Sequence, residues 1–245
     1  MVHKTKGIVL RAVKYGETSL IVTAFTELFG LQSYIVNGVR TSSKQSTGKA
    51  SHFQPAAILD MVVYHNQFTN LQRIKEFKWA HLYQHLFSNV RKNSVAVFMI
   101  ELLTKCLKEP EANAELFYFA EDAFLHLDDA TDGITANFSL FFALHLAVFF
   151  GFRINDEYSQ EQSYLDLEEG LFVEAQPEHP NFLEGRMAEI TSQILKTMQP
   201  EDLEDLALSG DIRRRLLTVY EAYYRLHIPD FTPLKTLPIL REVLS

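Results

Sequence analysis

The sequence predicts an α+β fold: an N-terminal five-stranded OB-fold barrel followed by an all-α helical domain with a small irregular subdomain insertion. Three observations predict this fold. The first 80 residues hold short apolar stretches rich in β-branched and aromatic residues, several of which alternate. After Trp79 the apolar period lengthens from two residues to that of a helix. The 245 residues, 47% hydrophobic and 22% charged, have the composition of a globular protein with one or two compact domains.

Five strands are predicted in the N-terminal region, and residues that favour turns separate most of them. The predicted strands are Gly7–Tyr15, Ser19–Phe25, Leu31–Val39, Gln54–Tyr64 and Leu71–Trp79. Closing these short strands into a small barrel removes the unpaired edges that an open sheet would expose. The connection from Arg40 to Ser51 is polar and has no apolar anchor, so we expect it to be mobile.

The rest of the chain predicts helices, because its apolar residues recur at helical spacing. The predicted helices are Val95–Leu107, Leu116–Leu127, Thr135–Gly151, Leu183–Met198, Asp211–Leu226 and Pro233–Leu244. The third is apolar on nearly every side, which predicts the centre of a helical bundle. Its apolar run is shorter than the ~20 residues that a membrane crossing needs, so no membrane association is expected. We therefore place an OB-fold nucleic-acid-binding domain at 1–80 and a helical domain at 81–245, with an irregular, metal-free segment at about 153–182 that holds one short hairpin.

Charge is distributed unevenly along the chain. The net charge is -8, yet residues 1–80 carry ten Lys and Arg against four Asp and Glu, and the remaining residues sum to -14. This asymmetry favours a basic binding module joined to an acidic body. The alternative is that the two parts attract each other within the fold. The start of the chain lacks the apolar core of a signal peptide, so we expect a cytoplasmic protein.

Catalytic, cofactor and metal signals are weak. Cys106 is the single cysteine, so neither an internal disulfide nor a thiolate zinc site is expected. His81 and His85 stand four residues apart on a predicted helix, but no third metal ligand accompanies them. Adjacent carboxylates such as Asp128 and Asp129 are predicted to be solvated. Phosphate-binding, dinucleotide-binding and nucleophile-elbow motifs are missing, so we predict a non-catalytic protein without cofactors; a hydrolase built on the two histidines is a remote alternative.

A DNA-binding groove is predicted on the barrel, since such barrels hold phosphates along a positive groove and stack bases on exposed aromatics. The candidate DNA-binding residues are Arg40, Lys44, Lys49, Arg11, Lys14, Arg73, Lys75 and Tyr34. Arg40 leads the set, because it follows the strand that contains Tyr34, adjoins the polar loop and comes after Gly38, where the backbone can bend. Strand parity puts Arg11 and Lys14 on opposite faces. Each basic residue can alternatively be a solvated surface charge, and Tyr34 a packing residue.

Several short motifs occur in an order and spacing that resemble the RecO family of recombination mediators. The motifs are Gly7-Ile8-Val9-Leu10, Tyr15-Gly16-Glu17-Thr18-Ser19, Ile21-Val22-Thr23, Phe25-Thr26, Gly30, Asn37-Gly38-Val39-Arg40, Pro55, Val63-Tyr64, Phe149-Phe150-Gly151-Phe152 and Leu234-Lys235-Thr236-Leu237. The resemblance implies a barrel that binds single-stranded and double-stranded DNA without sequence specificity. It also implies strand annealing, and recombinase loading onto DNA coated by single-stranded DNA-binding protein, together with the partner RecR.

The resemblance also bears on metal and partners. Many family members carry zinc-binding cysteines just after the position of Gly151-Phe152, and this chain has none there, so a metal-free insertion is expected. The C-terminal tail of single-stranded DNA-binding protein, acidic and apolar-ended, would need a cation beside an apolar pocket. Arg213, Arg214 and Arg215, on a helix with Leu216, Leu217 and Tyr220, are candidates, and Arg153 is a rival. A charged helix surface is the alternative for the three arginines, and a peptide-binding adaptor is the alternative for the whole protein.

Overall fold

The computed structural model describes residues 1–40 and 48–244, and these residues form two compact units. The first, the barrel unit, comprises Met1–Gln84 and Leu107–Leu125. The second, the helical unit, comprises His85–Cys106 and the chain from His126 onward. The division follows spatial contacts rather than a single cut in the sequence, so part of the region predicted as helical domain packs with the barrel.

The barrel unit contains the closed five-stranded barrel that the alternating pattern predicts. Its strands are β1 (Val2–Tyr15), β2 (Ser19–Thr26), β3 (Gly30–Val36), β4 (Ile58–Tyr64) and β5 (Leu71–Trp79). They are hydrogen-bonded in the order β1-β2-β3-β5-β4. The pairs are antiparallel except β3 with β5, which is parallel and closes the barrel over Ser33–Ile35 and Leu71–Arg73. The predicted α+β class with an N-terminal OB-fold barrel is confirmed.

Strand β1 starts five residues earlier than the sequence predicts, at Val2 instead of Gly7. Its first half pairs with β4 and its second half with β2, and the register shifts between Val9 and Arg11. The exposed Lys4 alternates with the buried Thr5, and this polar alternation conceals a strand that apolar residues alone do not reveal. A bulge of this kind lets one long strand bend and serve two neighbours.

The segment Leu107–Leu125 covers one side of the barrel. Phe117 packs against Phe25 of β2 with ring centroids 5.7 Å apart. Lys6 of β1 donates to the Glu121 carboxylate at 2.8 Å, and this hydrogen bond raises the pKa of Lys6. Gly30 has φ +61, and a Cβ there would lie 2.0 Å from the Glu111 carbonyl oxygen. Glycine is therefore required where this segment passes β3.

Three of the six α-helices in the described residues begin and end within two residues of the predicted positions. Of the others, the first begins five residues earlier than predicted, the third ends four residues earlier and the last begins four residues later. The helices are α1 (Val90–Cys106), α2 (Ala114–Asp129), α3 (Asp132–Ala147), α4 (Gly185–Lys196), α5 (Gly210–His227) and α6 (Leu237–Val243). The sequence predicts the last helix from Pro233, but it begins at Leu237 and has Pro238 in its first turn. Proline fits either start, since the first turn needs no amide donor.

Helix α3 lies at the centre of the helical unit, as its uniformly apolar sequence predicts. Together with the short 3-10 turn that follows it, the stretch Asp132–Phe150 has the length and apolar composition of a membrane-crossing helix. Most of it is buried inside the helical unit, where α3 packs against α1 and α5. Burial on nearly all sides is the property of a core helix.

The insertion is more regular than the sequence predicts. Three short strands, β6 (Tyr164–Asp166), β7 (Leu171–Val173) and β8 (Phe182–Leu183), form a sheet in the order β7-β6-β8 in place of the single expected hairpin. The Asp166 carboxylate accepts from the backbone amides of Glu168 and Glu169 at 2.8 and 3.1 Å and lies 3.2 Å from Nε2 of His179. In the described residues, no group of three or more His, Cys, Asp or Glu side chains is arranged to hold a metal ion.

The prediction that a helix carries His81 and His85 is wrong. Residues 80–89 form turns and bends, and helix α1 starts only at Val90. The prediction that Asp128 is solvated is also wrong, because its carboxylate is buried. It accepts hydrogen bonds from the backbone amides of His85 at 2.8 Å and Leu86 at 2.6 Å. These amides lie in the segment that leads into α1, so the carboxylate supplies acceptors that this irregular backbone lacks.

Acid is expected to weaken the helical unit through His145. The ring packs against Phe141 with centroids 4.3 Å apart, and its Nε2 lies 3.3 Å from the Ile194 carbonyl oxygen. Burial lowers the pKa of His145. A lowered folded-state pKa means that the neutral ring stabilises the fold above the unfolded pKa of about 6.5, and that this contribution is lost as pH falls through the folded value.

The test compares His145→Gln with the wild type. Glutamine keeps a donor for the Ile194 carbonyl but does not titrate, so the free energy of unfolding should fall less in the variant between about pH 7.5 and pH 5. Urea unfolding across this range measures the difference. Identical pH profiles for the two proteins would contradict the assignment.

Candidate nucleic-acid interface

The outward-facing residues of β1, β2, β3, β5 and β4 form two rows across the barrel. One row runs Arg11, Thr23, Ser33, Leu71, and the next runs Val13, Ile21, Ile35, Arg73, Tyr64. Directly paired residues share a face of the sheet, so each row is a line of neighbouring side chains. Together with Tyr15 at the end of β1, we call these residues the outer barrel face.

Cations and aromatic rings border the outer barrel face. Arg11 and Arg73 are exposed, and neither forms an ion pair in the described part of the chain. Arg73 is the cross-strand partner of Tyr64, which is 42% exposed, while Tyr15 is 52% exposed. Along the sheet, Arg11 and Arg73 are three strands apart, roughly 14 Å at the usual spacing. The arrangement places guanidinium groups at both ends of an uncharged middle.

Lys14 and Lys75 have different positions from these two arginines. Lys14 pairs with the buried Leu20, so its parity is opposite to that of Arg11, as predicted, and it is exposed at the end of the hairpin. Lys75 lies at the register shift of β5 and forms an ion pair with the neighbouring Glu76 at 3.2 Å. Both groups of that pair are exposed, so the pair is weak and Lys75 remains accessible.

Arg40 holds the backbone of the turn between β1 and β2. Its guanidinium donates to the Gly16 carbonyl oxygen at 3.0 Å, and its backbone amide donates to the Thr18 carbonyl oxygen at 3.0 Å. The side chain is half-buried. Arg40 therefore shapes the turn in addition to carrying charge near it.

Two candidate DNA-binding residues of the polar connection after Arg40 remain, Lys49 and Lys44. Lys49 is exposed and begins a 3-10 helix, Lys49–Phe53. Lys44 lies outside the described residues.

The structure contradicts the prediction that Tyr34 contacts DNA. The side chain is 0% exposed, pairs with Val22 and Gln72 across the sheet, and fills the interior of the barrel. Burial raises the pKa of its hydroxyl to about 12. A ring in this position packs the barrel core and cannot stack on a base.

A different part of the barrel surface carries balanced charge. A cleft of about 560 Å³ is lined by Lys4, Lys6, Glu27, Asp60, Glu76 and Lys78 among others. Lys78 lies 3.3 Å from the Asp60 carboxylate, and Lys6 is paired with Glu121. Because acidic and basic side chains alternate, this cleft does not attract a polyanion, which leaves the outer barrel face as the better candidate.

A groove of about 490 Å³ adjoins the outer barrel face beside β3. Its walls include Thr23 and Ser33 of the outer barrel face, the β4–β5 loop from His65 to Asn70, and Pro110 and Ala112. Lys, Arg, Asp and Glu do not occur among its lining residues. We call it the β3 groove.

The candidate partner residues on α5 are largely engaged within the helical unit. Arg213 donates to the carbonyl oxygens of Leu208 at 2.5 Å and Leu244 at 2.9 Å. Arg214 and Arg215 lie 3.7 and 2.9 Å from the Asp211 carboxylate. Leu216, Leu217 and Tyr220, expected to be presented beside them, are buried. Arg153, the rival candidate, is exposed.

Sequence reasoning missed two features of this surface. The sequence around Tyr15 indicates only a turn, although this residue has the same parity as Arg11 and the strand pattern could have revealed it. The β3 groove is lined by uncharged residues that are far apart in sequence, so no charge cluster or motif marks it.

Comparison with known proteins agrees with this architecture. The family model described as recombination protein O N terminal matches residues 1–83, and the model described as recombination protein O C terminal matches residues 88–238. A DNA repair protein RecO from Phocaeicola vulgatus is 34% identical over 245 residues, covering 100% of both chains. Proteins of the same name from Bacteroides fragilis and Flavobacterium psychrophilum are 33% and 34% identical, covering 99% of each chain. The chain belongs to the RecO family of DNA repair proteins.

Proposed function

We propose that this protein is a non-catalytic, cytoplasmic recombination mediator that binds single-stranded and double-stranded DNA without sequence specificity. It anneals complementary strands and, with RecR, assists recombinase loading on DNA coated by single-stranded DNA-binding protein. The observation that carries the DNA-binding proposal is the outer barrel face, where the exposed Arg11 and Arg73 flank strands β2 and β3.

The position of this face on the barrel supports the proposal. OB-folds bind oligonucleotides on the face of strands 2 and 3 and with the loops between strands 1 and 2 and between strands 4 and 5. Here Tyr15 stands at the first of these loops, and Phe68, 85% exposed, stands in the second. Exposed aromatic rings beside cations are suited to bind bases and phosphates together, and neither contact depends on sequence.

Lys14, Lys49, Lys75 and Arg40 are proposed as supporting positive charge around the same face. Each adds to the local potential, and phosphate contacts need no fixed geometry. Arg40 contributes in a second way, because it holds the β1–β2 turn through Gly16. Lys44, outside the described residues, remains a candidate DNA-binding residue on its charge alone.

For the tail of single-stranded DNA-binding protein, Arg153 is the better proposal. It is exposed, whereas Arg213 is held by two carbonyl oxygens and both Arg214 and Arg215 lie near Asp211. A free guanidinium can pair with the tail's carboxylates without first breaking an internal contact.

Reversing both arginines of the face should weaken DNA binding strongly. We expect Arg11→Glu/Arg73→Glu to lower the affinity for a single-stranded oligonucleotide about 30-fold at low salt, since two phosphate contacts are replaced by repulsion. The matched control is Lys4→Glu/Lys78→Glu, which changes net charge equally but alters the charge-balanced cleft. The control should lose less than about threefold.

Fluorescence anisotropy between about 50 and 200 mM salt measures both effects. Wild-type affinity should fall steeply with salt, and the slope of log affinity against log salt should decrease by about two in the double variant. Annealing of strands precoated with single-stranded DNA-binding protein should fall in parallel. Undetectable wild-type binding would reject the DNA-binding proposal and leave the peptide-binding adaptor as the alternative. Salt-independent binding would reject the phosphate contacts, and equal losses in both variants would reject this face.

A further inference from the structure

The β3 groove exists because β3 and β5 separate. The two strands pair only over Ser33–Ile35 and Leu71–Arg73. Before Ser33, the residues of β3 face the β4–β5 loop and the Pro110–Ala112 segment, and these form the opposite walls. The groove is therefore a gap in the barrel wall, next to the outer barrel face.

The lining of the β3 groove is uncharged and mixes polar with apolar side chains. It consists of Thr23, Leu28, Phe29, Leu31, Gln32, Ser33, His65, Asn66, Gln67, Thr69, Asn70, Gln72, Pro110 and Ala112. Burial, followed by the nearby His3 and the amino terminus, lowers the pKa of His65, so the imidazole is neutral at pH 7. Hydroxyl and amide groups in such a setting offer hydrogen bonds without net charge.

The floor of the groove holds stacked rings and is hydrogen-bonded at the loop side. Phe29 and His65 stack with centroids 4.0 Å apart and planes 12° from parallel. The side chain of Gln72 accepts from the Asn66 amide at 3.0 Å and donates to the carbonyl oxygens of Asn66 and Thr69 at 2.8 and 2.6 Å. These bonds tie the β4–β5 loop to Gln72 of β5 and stabilise this wall of the groove.

We propose that the β3 groove receives unstacked nucleobases of single-stranded DNA while Arg11 and Arg73 bind the flanking phosphates. A phosphate entering an uncharged groove would lose water without gaining a cation, whereas a base is neutral and gains hydrogen bonds on its edge. The volume of about 490 Å³ is in the range of small-ligand sites. This inference rests on the proposed DNA-binding function.

The proposal separates two contributions to affinity. Phosphate contacts serve single and double strands alike, because both present backbone phosphates. The groove serves only single strands, because bases in a duplex are paired and stacked and cannot reach it without being extruded. Base contacts in the groove therefore make the protein prefer unpaired DNA.

The experiment uses the full-length protein and three fluorescent probes: an oligothymidylate, the same backbone with abasic sites in its centre, and a hairpin duplex. Wild type should bind the oligothymidylate about tenfold more tightly than the abasic strand. Ala112→Leu, which adds a larger aliphatic side chain to a groove wall outside the outer barrel face, should lower oligothymidylate affinity to the abasic level and leave the other two probes within about twofold. Ala112→Ser, which keeps this side chain small, is the control and should stay within about threefold for all probes.

Two outcomes overturn the inference and leave the proposed function in place. One is equal wild-type affinity for the base-bearing and abasic strands, a comparison that needs no variant and so does not depend on how Ala112→Leu folds. The other is an equal loss on all three probes in an Ala112→Leu protein with an unchanged melting curve. Failure of the wild type to bind any probe at low salt is a separate result, which removes the proposed function itself.

Discussion

Replacing Gly30 with alanine is expected to lower the free energy of unfolding by about 3 kcal/mol, through two penalties at one residue. The first is conformational, because Gly30 has φ +61, where a side chain crowds the backbone. The second is steric, because the new Cβ would lie 2.0 Å from the carbonyl oxygen and 2.5 Å from the carbonyl carbon of Glu111. Those are backbone atoms, so no side-chain rotation relieves the clash, and the covering segment must move.

Gly16→Ala separates the two penalties. Gly16 has φ +57, nearly the same as Gly30, but no atom lies within 4 Å of the position that a Cβ would take there. We expect this control to lower the free energy of unfolding by only about 1 kcal/mol, which is the conformational penalty alone. Urea unfolding of both variants measures the difference. Equal losses would show that the Leu107–Leu125 segment does not contact β3 closely at residue 30.

Asp128→Ala is expected to destabilise the helical unit by about 3 to 4 kcal/mol, because it removes the acceptor of two backbone amides. The residue is 2% exposed and accepts from His85 and Leu86. The nearby ammonium group of Lys92 is also buried and donates to the Asp128 carbonyl oxygen at 2.6 Å. Loss of the carboxylate leaves the two amides without this acceptor, whereas Lys92 keeps the backbone carbonyl oxygen of residue 128.

Two further substitutions test whether the lost acceptor causes the destabilisation by Asp128→Ala. Asp128→Asn keeps one side-chain oxygen as an acceptor and should recover roughly half of the loss, since the hydrogen bonds persist while the charge disappears. Asp129→Ala changes the exposed neighbouring carboxylate and should cost less than about 0.5 kcal/mol. Chemical unfolding compares the three proteins. A small effect of Asp128→Ala, near that of Asp129→Ala, would show that the carboxylate is not the acceptor that the backbone needs.

The barrel and the central helix are predictable because each depends on local periodicity. Short stretches rich in β-branched and aromatic residues, several of them alternating, locate the five strands, and the switch to helical period after Trp79 locates the helices. The extra length of β1 is not predictable from apolar residues, since Lys4 is exposed between residues that pair with β4. Nor is the three-stranded sheet of the insertion, because strands of two or three residues are too short to produce a period.

The candidate site is predictable in its charges and less so in its geometry. The basic bias of the N-terminal region identifies Arg11 and Arg73, and strand parity correctly separates Arg11 from Lys14. The prediction for Tyr34 fails because aromatic character alone does not tell which face of a strand a ring occupies; its partner Val22 is buried. The β3 groove depends on where two strands diverge, and no local pattern encodes that divergence.

The barrel unit is discontinuous in sequence, since one of its walls comes from Leu107–Leu125. A fragment that stops at residue 84 would lack Phe117 and leave Phe25 bare to water, with the apolar surface that promotes self-association. Expression boundaries taken from the order of the chain would therefore cut through a folding unit. Gene recombination meets the same restriction: a single crossover between residues 84 and 107 would part the barrel from the segment that covers it.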